Sequence, residues 1–286
     1  MTDAAERARR PERARARFAG VAFARSLGVA VGDVEPDRAV LRLPHRPEHL
    51  NAVGVLNGGA SASLLAMAGT LAAWTGVDLA VQYLSAATGE DVVAEGRVLR
   101  RGRDVVFLDA ALATADGRPI CRGLLTYQTA RYAGRAPRHH ARHAPLPDVA
   151  TPSPPAPGRL FRGYVEMLGM EPLHAGPGRT RLRMPCTPAH LDEQGRMHAG
   201  ALASIVDIAA VAASWALIPR RPGARGSTIA MQVSFPGRAT AAVIADAHVQ
   251  QRSEELLFST VHVTDEASGA LVALGQVSYR LLEPWP

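Results

Sequence analysis

The sequence predicts an α+β fold in which two similar units each wrap an antiparallel sheet around one long helix. Three observations lead to this prediction. The chain of 286 residues repeats itself, each repeat carries one long helix of small apolar residues, and alternating apolar segments separated by turns follow each helix. The length also fits two modest domains better than one large domain.

The internal repeat is visible without any outside alignment. Residues 37–74 align without a gap with residues 178–215, at a constant offset of 141 residues (178 minus 37). Near the end of each copy, Tyr127 matches Tyr279 at an offset of 152 (279 minus 127), and the 11 extra residues fit one insertion after Trp215, in the segment IPRRPGARGS. The shared Arg, Leu, Pro, His, Gly, Ser and Trp positions make chance similarity in an Ala-rich chain a poor explanation.

Each copy shows the same order of elements. A short helix and a strand (Ala39–Pro44 or Thr180–Pro185) lead through a loop to a helix that begins at GGASAS or AGALAS. Several strand-like segments follow, and their antiparallel sheet must pack closely on a helix that is lined by Ala, Gly and Ser. The fold class is therefore α+β, with a single buried helix in each unit.

We expect four segments along the chain. They are an Arg-rich N-terminal segment (1–17), a first domain (18–130), a linker rich in Pro, Arg and His (131–158) and a second domain (159–286). The linker histidines His139, His140 and His143 are open to two interpretations, a metal site or a solvated linker. The linker interpretation is favoured, because nothing fixed in the fold supplies a complementary set of ligands.

Composition excludes several classes of function. The net charge is +6 and every basic residue is Arg, a pattern that reflects coding bias as much as a selected basic surface. Few aromatic residues and no zinc spacing argue against a nucleic-acid partner, and no apolar run is long enough to span a membrane. Two widely separated cysteines, Cys121 and Cys186, and the lack of a signal peptide predict a cytoplasmic protein without a metal or cofactor.

Two motifs at the helix starts resemble a known family. The segment HLDEQGRMHAGALASIVDIAA of the second copy is similar to the signature of PaaI-type hotdog thioesterases of phenylacetate degradation. That signature has an Asn, then His-Gly-Gly six residues on, and an Asp nine residues beyond the His. The first copy's HLNAVGVLNGGASAS matches its early part, and residues 98–107 (VLRRGRDVVF) resemble the hairpin that follows. The resemblance implies an acyl-CoA thioesterase in which two hotdog units pair side by side, here as an intrachain pseudo-dimer (a double hotdog).

In this family each active site draws on both helices, and helix geometry agrees. The N–H groups at a helix start suit a thioester carbonyl that becomes an oxyanion. An acid eight residues further along the same helix lies roughly 12 Å away, at about 1.5 Å per residue. The acid must therefore come from the neighbouring antiparallel helix.

The two copies depart from the family pattern in different places. The first has Asn51 and Gly58, but Asn57 stands where His is usual and Ala66 where the acid is expected. The second has the acid, Asp207. Its other site residues are His198 and Ala199 at the helix start and Asp192 in place of Asn. We therefore expect one working site, from Asn51, Asn57, the Gly58 N–H and Asp207, and one degenerate site, from Asp192, His198, Ala199 and Ala66.

The resemblance also implies a hydroxyl at the start of the strand after the helix, which holds the attacking water near the acid. Thr228 occupies this place beside Asp207, with Ser227 as its neighbour, and Gly76 is its match in the first copy. The acid and the hydroxyl are thus missing from the same site. For the working site, the resemblance implies that the Gly58 N–H binds the oxyanion and that Asn51 orients the water or the carbonyl. Asp207 acts either as a general base or as a nucleophile.

Several questions remain open at the level of sequence. Arg100, Arg101 and Arg103 either bind the phosphates of coenzyme A or form a charged hairpin turn. A non-catalytic acyl-CoA-binding or regulatory protein is the main alternative function, and a hotdog hydratase is disfavoured because its Asp and His on a short Asn-Pro loop are missing. The expected substrate is an acyl-CoA, with no cofactor, nucleic acid or membrane involved, and two chains could form a homodimer of pseudo-dimers. The acyl group is not defined, and neither is the role of the insertion after Trp215.

Overall fold

The computed structural model describes residues 3–72, 75–129, 159–217 and 223–282. The expected linker with its three histidines, Trp74 and residues 218–222 of the predicted insertion lie outside the described residues. Among the described helices, none is long and apolar enough to cross a membrane.

The two copies contain the same series of elements, except that α1 precedes the other elements of the first copy. The first copy comprises α1 (Asp3–Ala19), α2 (Ala22–Ser26), β1 (Ala30–Glu35), β2 (Arg38–Leu43), α3 (Gly58–Ala72), β3 (Thr75–Tyr83), β4 (Val92–Arg101), β5 (Val105–Thr114) and β6 (Pro119–Gln128). The second copy comprises α4 (Tyr164–Met167), β7 (Glu171–Gly176), β8 (Arg179–Met184), α5 (Ala199–Trp215), β9 (Arg225–Ser234), β10 (Val243–Ser253), β11 (Leu256–Asp265) and β12 (Leu271–Leu282). Short turns of 3-10 helix at Pro47–His49 and Pro188–His190 precede the two long helices.

The strands of the described residues form one antiparallel sheet of 12 strands, in the order β1-β2-β4-β5-β6-β3-β9-β12-β11-β10-β8-β7. The α+β double hotdog is confirmed, and its two expected sheets are joined where β3 pairs with β9. This pairing satisfies two strand edges that would otherwise be open. It also brings α3 and α5 together, and each of them packs on the strands of its own copy.

Two strands were not expected from the sequence. Strands β1 and β7 lie at the two ends of the sheet, and most of their residues are partly exposed. Their sequences, AVGDVE and EPLHAG, contain Gly, Asp, Glu and Pro, which are depleted in strands. Pairing with β2 and β8 therefore decides their conformation, rather than local preference.

The long helices touch at two equivalent pairs of small residues. A Cβ atom at Gly59 would lie 2.9 Å from the Ser204 Cα, and one at Gly200 would lie 2.9 Å from the Ser63 Cα. The Ser63 hydroxyl donates to the Gly200 carbonyl at 2.9 Å, and the Ser204 hydroxyl donates to the Gly59 carbonyl at 3.1 Å. Glycine is required at both positions because the two backbones approach too closely for a side chain.

The N-terminal helix α1 extends past residue 17, where we expected the first domain to begin. It packs against α3 and β1, and Ala14 and Phe18 enter the core. Arg17, near its C-terminal end, donates a hydrogen bond to the Thr70 carbonyl of α3 and lies 3.7 Å from Glu193 of the second copy. This helix therefore contacts both copies.

Candidate active site

The carboxylate of Asp207 lies between the two long helices. Asp207 belongs to α5, and a Cβ atom built on Gly58, the first residue of α3, would lie 2.8 Å from its Oδ2 atom. Thr228 of β9 donates a hydrogen bond of 2.6 Å to Asp207 Oδ1. An acid from the second copy and a helix start from the first copy thus meet in one place.

The environment of Asp207 is nearly closed to solvent. Its exposed fraction is 3%, and this burial raises the pKa of its carboxyl group to about 6. Hydrogen bonds from Thr228 and from the Gly59 N–H act in the opposite direction on that pKa. A carboxyl group with this pKa can both accept and return a proton near neutral pH.

The start of α3 is held in a defined conformation. Asn57 accepts a hydrogen bond of 2.8 Å from the Gly59 N–H through its side-chain oxygen, as a helix N-cap does. Tyr83 donates to the Gly58 carbonyl at 3.0 Å. Within the part of the chain that the structure describes, the Gly58 N–H has no hydrogen-bond partner. It is available to a substrate oxygen.

Asn51 shapes the loop that leads to this helix start. Its Oδ1 atom accepts hydrogen bonds from the N–H groups of Val53 and Val55, at 3.0 and 3.1 Å. These bonds form a tight turn of a kind that Asn favours. They occupy the oxygen of the side-chain amide, so that only its NH₂ group can serve a water or a carbonyl.

The expected degenerate site has the same backbone but different chemistry. Asp192 Oδ1 accepts from the N–H groups of Gln194 and Arg196, at 2.8 and 2.9 Å, which reproduces the turn made by Asn51. Its second oxygen is paired with the Arg196 guanidinium at 2.8 Å. The negative charge of Asp192 is therefore balanced by Arg196 within the same loop.

His198 takes the place of Asn57. Its Nδ1 atom accepts from the Gly200 N–H at 2.9 Å, and its Nε2 atom lies 3.2 Å from the Thr70 hydroxyl. Burial lowers the pKa of His198 to about 4, with Asp192 acting in the opposite direction. The imidazole is neutral at physiological pH and serves as an N-cap.

The absence of an acid at this end explains why alanine, rather than glycine, can stand at the start of α5. Ala66 leaves no carboxylate opposite Ala199, and Gly76 leaves no hydroxyl beside it. A methyl group therefore fits at Ala199, whereas the equivalent Gly58 has Asp207 in contact. The absent groups leave a cleft at this end of the helix pair. It is lined by Thr70, Gly76, His198, Ala199, Phe235 and Arg238.

The strand register identifies Gly76 as the counterpart of Thr228. Gly76 pairs with Tyr127 across β3 and β6, and Thr228 pairs with Tyr279 across β9 and β12. Tyr127 and Tyr279 are the pair that the repeat assigns at an offset of 152. The hydroxyl of Thr228 thus has no equivalent in the other site.

The arginine-rich hairpin lies at the end of the molecule that has no acid. The turn joins β4 to β5, and Val106, just after it, pairs with Tyr127, which lines the cleft. Arg101 is half-buried and pairs with Asp37 at 3.3 Å, whereas Arg100 and Arg103 are exposed. None of the three arginines stands beside Asp207.

Two tyrosines near Asp207 were missed in the sequence analysis. Tyr83 bonds to the Gly58 carbonyl, and Tyr164 of α4 lies 3.0 Å from the Ser204 hydroxyl and 3.1 Å from that of Ser63. Burial and then the charge of Asp207 raise the pKa of Tyr83. Their counterparts at the other site are Phe235 (offset 152) and Phe23 (offset 141), so the repeat itself carried the signal.

Four positions at the acid-containing site thus carry polar groups that the other site lacks. Each of these positions has an apolar or small counterpart at one of the two offsets of the repeat, 141 or 152. The pairs are Asp207 with Ala66, Thr228 with Gly76, Tyr83 with Phe235 and Tyr164 with Phe23. Among the described residues, no cluster of His, Cys, Asp and Glu could hold a metal ion.

Comparisons with known proteins agree on one family. A family model described as the acyl-CoA thioesterase N-terminal domain matches residues 46–128. Acyl-coenzyme A thioesterase 13 of Homo sapiens is 29% identical over 123 residues, which cover 42% of this chain and 86% of that protein. A Saccharolobus solfataricus protein named as a presumed esterase is 33% identical over 100 residues, which cover 32% of this chain and 71% of that protein.

A solved structure extends the likeness of fold to both copies. A conserved protein with a hot dog fold from Alicyclobacillus acidocaldarius superposes with a TM-score of 0.63. The match covers 92% of this chain and 99% of that chain, at 18% sequence identity. The arrangement of two repeats in one chain therefore recurs in an experimentally determined structure.

Proposed function

Because the chain belongs to the acyl-CoA thioesterase family of hotdog-fold enzymes, we propose that it hydrolyses an acyl-CoA at a single site built from both copies. The chain is a thioester hydrolase, and its products are a free acid and coenzyme A. The site combines the start of α3 with Asp207 and Thr228. The observation that carries the proposal is the contact between the Asp207 carboxylate and Gly58.

The reaction follows from the placement of charge. The thioester carbonyl oxygen binds at the Gly58 N–H, where the positive end of the α3 dipole stabilises the oxyanion. Asp207 removes a proton from water, whose oxygen attacks the carbonyl carbon. The C–S bond then breaks, and the proton held by Asp207 passes to the departing sulfur. Thr228 keeps the carboxylate in position through its 2.6 Å hydrogen bond.

Asp207 can also act as a nucleophile. Its oxygen then attacks the carbonyl carbon, the C–S bond breaks, and water hydrolyses the resulting anhydride. A single turnover in ¹⁸O-labelled water tests the anhydride route. Label in the Asp207 carboxylate shows that an anhydride forms and that water attacks the protein's own carbonyl carbon. Label in the free acid alone shows that water attacks the acyl carbonyl carbon, as the general-base route requires, and excludes attack on the protein's carbonyl carbon.

The proposed function is tested by thiol release from a panel of acyl-CoAs with short, medium and aromatic acyl groups. We expect hydrolysis of at least one member of the panel by the wild-type chain. A chain that binds members of the panel without releasing thiol from any of them would instead be a non-catalytic acyl-CoA-binding protein.

Hydrolysis should depend on the ionisation of Asp207. The carboxylate form is required, so kcat/KM should fall as the pH decreases through about 6, the pKa of Asp207 in the free enzyme. Thr228 stabilises the ionised form, and Thr228→Val should therefore raise this pKa. Loss of a hydrogen bond to a charged group corresponds to an upward shift of about one to two pH units. The pH profile of kcat/KM measures both effects.

The matched control for this pH profile is Ser227→Ala, beside Thr228 on the same strand. It should leave the acid limb of the profile in place. An acid limb that does not move in Thr228→Val would show that the hydroxyl does not act on Asp207.

The finer features of the protein are proposals of the same kind. We infer that the second domain follows its expected boundaries at 159–286, that the first ends at its expected boundary of 130 but includes α1, which packs on α3 and β1, and that the site is of the PaaI type. A cytoplasmic location is supported by Cys121 and Cys186, which are unpaired. Assembly of two chains through the outer face of the sheet is supported by the exposed apolar side chains of Phe107, Leu124, Phe258 and Leu274. Light scattering in solution tests the mass of the assembly.

A further inference from the structure

The two ends of the helix pair differ in charge as well as in catalytic groups. The hairpin near Asp207 joins β10 to β11 and carries Arg252 with Glu254 and Glu255; we call it the acidic hairpin. The equivalent hairpin at the other end joins β4 to β5 and carries Arg100, Arg101 and Arg103 with Asp104; we call it the basic hairpin. Positive charge is therefore concentrated at the end that has no acid, beside the cleft.

The strand register shows which end of the helix pair each hairpin lies beside. Leu257, just after the acidic hairpin, pairs with Tyr279, and Tyr279 pairs with Thr228 beside Asp207. Val106, just after the basic hairpin, pairs with Tyr127, which lines the cleft. The basic hairpin is thus next to the cleft in the same way as the acidic hairpin is next to Asp207.

The interior of the cleft also offers groups that can bind an anion. Arg196 and Arg238 line it together with Asp192 and Glu193. The side chain of Arg196 is 11% exposed, and its Nη1 atom is buried with no hydrogen-bond partner among the described residues. A buried guanidinium N–H without a partner is costly unless a ligand accepts from it.

The base of the cleft contains a helix start that can bind a thioester carbonyl. The Ala199 N–H lies at the start of α5, where the positive end of the helix dipole attracts a carbonyl oxygen or an anion. The acid and the hydroxyl of the other site are missing here, because Ala66 stands in place of Asp207 and Gly76 in place of Thr228. A thioester in this cleft would therefore not meet the groups that we propose for hydrolysis.

We propose that this cleft is a second, non-hydrolysing site for a coenzyme A thioester or for coenzyme A itself. The phosphates lie at Arg100 and Arg103, and the pantetheine arm enters the cleft past Arg196 towards Ala199. Arg101 supports the hairpin through its ion pair with Asp37. The site lies where the other end of the helix pair has its catalytic acid, and the excess positive charge of the adjoining hairpin attracts a polyanionic ligand.

The test is the stoichiometry of binding of free coenzyme A, measured by titration calorimetry on the full chain. The wild-type chain should bind two molecules, one as product at Asp207 and one in the cleft. The double variant Arg100→Glu with Arg103→Glu should bind one molecule. Both positions are exposed, so these substitutions should not disturb folding.

A matched control is Arg252→Glu, at the position equivalent to Arg100 (252 minus 152) in the other hairpin. It should still bind two molecules. A second variant, Gly76→Leu, fills the cleft from its strand, because a Cβ atom there lies 3.3 Å from the Ala199 Cβ. It should bind one molecule even though the arginines are intact.

Other outcomes would overturn the proposal. One molecule of coenzyme A bound to the wild-type chain would contradict it, and so would two molecules bound to the double variant. This test is separate from that of the proposed function. If the chain binds two molecules of coenzyme A but hydrolyses no acyl-CoA, the cleft site is supported and the proposed function is contradicted. If the chain hydrolyses an acyl-CoA but binds one molecule of coenzyme A, the proposed function is supported and the cleft site is contradicted.

Discussion

Replacing Gly58 by Ala should lower kcat/KM by about 10² to 10³, the loss typical of one oxyanion donor. A Cβ atom at this position would lie 2.8 Å from Asp207 Oδ2, closer than any non-bonded contact of that kind. Either the carboxylate or the start of α3 must move, and both groups act on the same thioester. Steady-state thiol release measures the effect.

The chain contains its own control for this substitution. Ala199 stands at the equivalent position of α5, where no acid is present, so Ala199→Gly should leave kcat/KM unchanged. Thermal unfolding of both variants separates a catalytic loss from a folding defect. Normal hydrolysis by Gly58→Ala would show that the contact between Gly58 and Asp207 is not part of the active site.

Replacing Asp207 by Asn should lower kcat by about 10³, within the range of 10² to 10⁴ that is typical of a general base. The amide keeps the size of the carboxylate and can still accept the Thr228 hydrogen bond, but it cannot take a proton from water. The same substitution should make the protein more stable. Burial of the carboxylate raises its pKa to about 6, so folding at neutral pH includes the cost of desolvating a charge.

The direction of this stability effect follows from proton binding. Between the ordinary pKa of an Asp side chain, about 3.9, and about 6, the folded state holds a proton at Asp207 that the unfolded state has released. Wild-type stability therefore falls as the pH rises through this window, and it is constant with respect to Asp207 above it. At about 1.4 kcal/mol per pKa unit, Asp207→Asn should gain about 2 to 3 kcal/mol at pH 7.

Chemical unfolding at pH 7 and at pH 4 measures this gain. The difference between wild type and Asp207→Asn should be largest at pH 7 and should nearly vanish at pH 4. An Asn variant that is less stable than wild type at pH 7 would show that the carboxylate is favourably solvated, and that its burial does not raise its pKa.

Much of the fold could be predicted from the sequence because the repeat compares the chain with itself. The gapless match of residues 37–74 with 178–215 defined both long helices and the strand before each of them, and alternating apolar segments predicted the strands that follow. The edge strands β1 and β7 could not be predicted in this way. Their residues have little intrinsic preference for a strand, and only pairing with a neighbour orders them.

The residues of the candidate site could be predicted where the family pattern or the repeat assigns them a position. Asp207, Gly58 and Thr228 follow from such positions. Tyr83 and Tyr164 did not, because a tyrosine on a strand or in a short helix is usually a packing residue. Their roles depend on hydrogen bonds across the molecule, such as that from Tyr83 to the Gly58 carbonyl. Comparison of the first copy with the second would have shown that Phe stands at the position equivalent to each of these tyrosines.

The position of the basic hairpin could not be inferred from the sequence either. The strand register decides which end of the helix pair a turn lies beside. Here the deciding pair is Val106 with Tyr127. The sequence shows that arginines lie in a turn, but not which site they flank. The structure places them beside the cleft rather than beside Asp207.

The central claim is that one chain contains one working site, with its acid from the second copy and its helix start from the first. The most direct measurement compares kcat for Asp207→Asn with kcat for Asp192→Asn combined with His198→Ala, each per folded chain. The account predicts a loss of about 10³ in the first variant and wild-type activity in the second. Equal losses in the two variants would contradict it, because both ends of the helix pair would then hydrolyse the substrate.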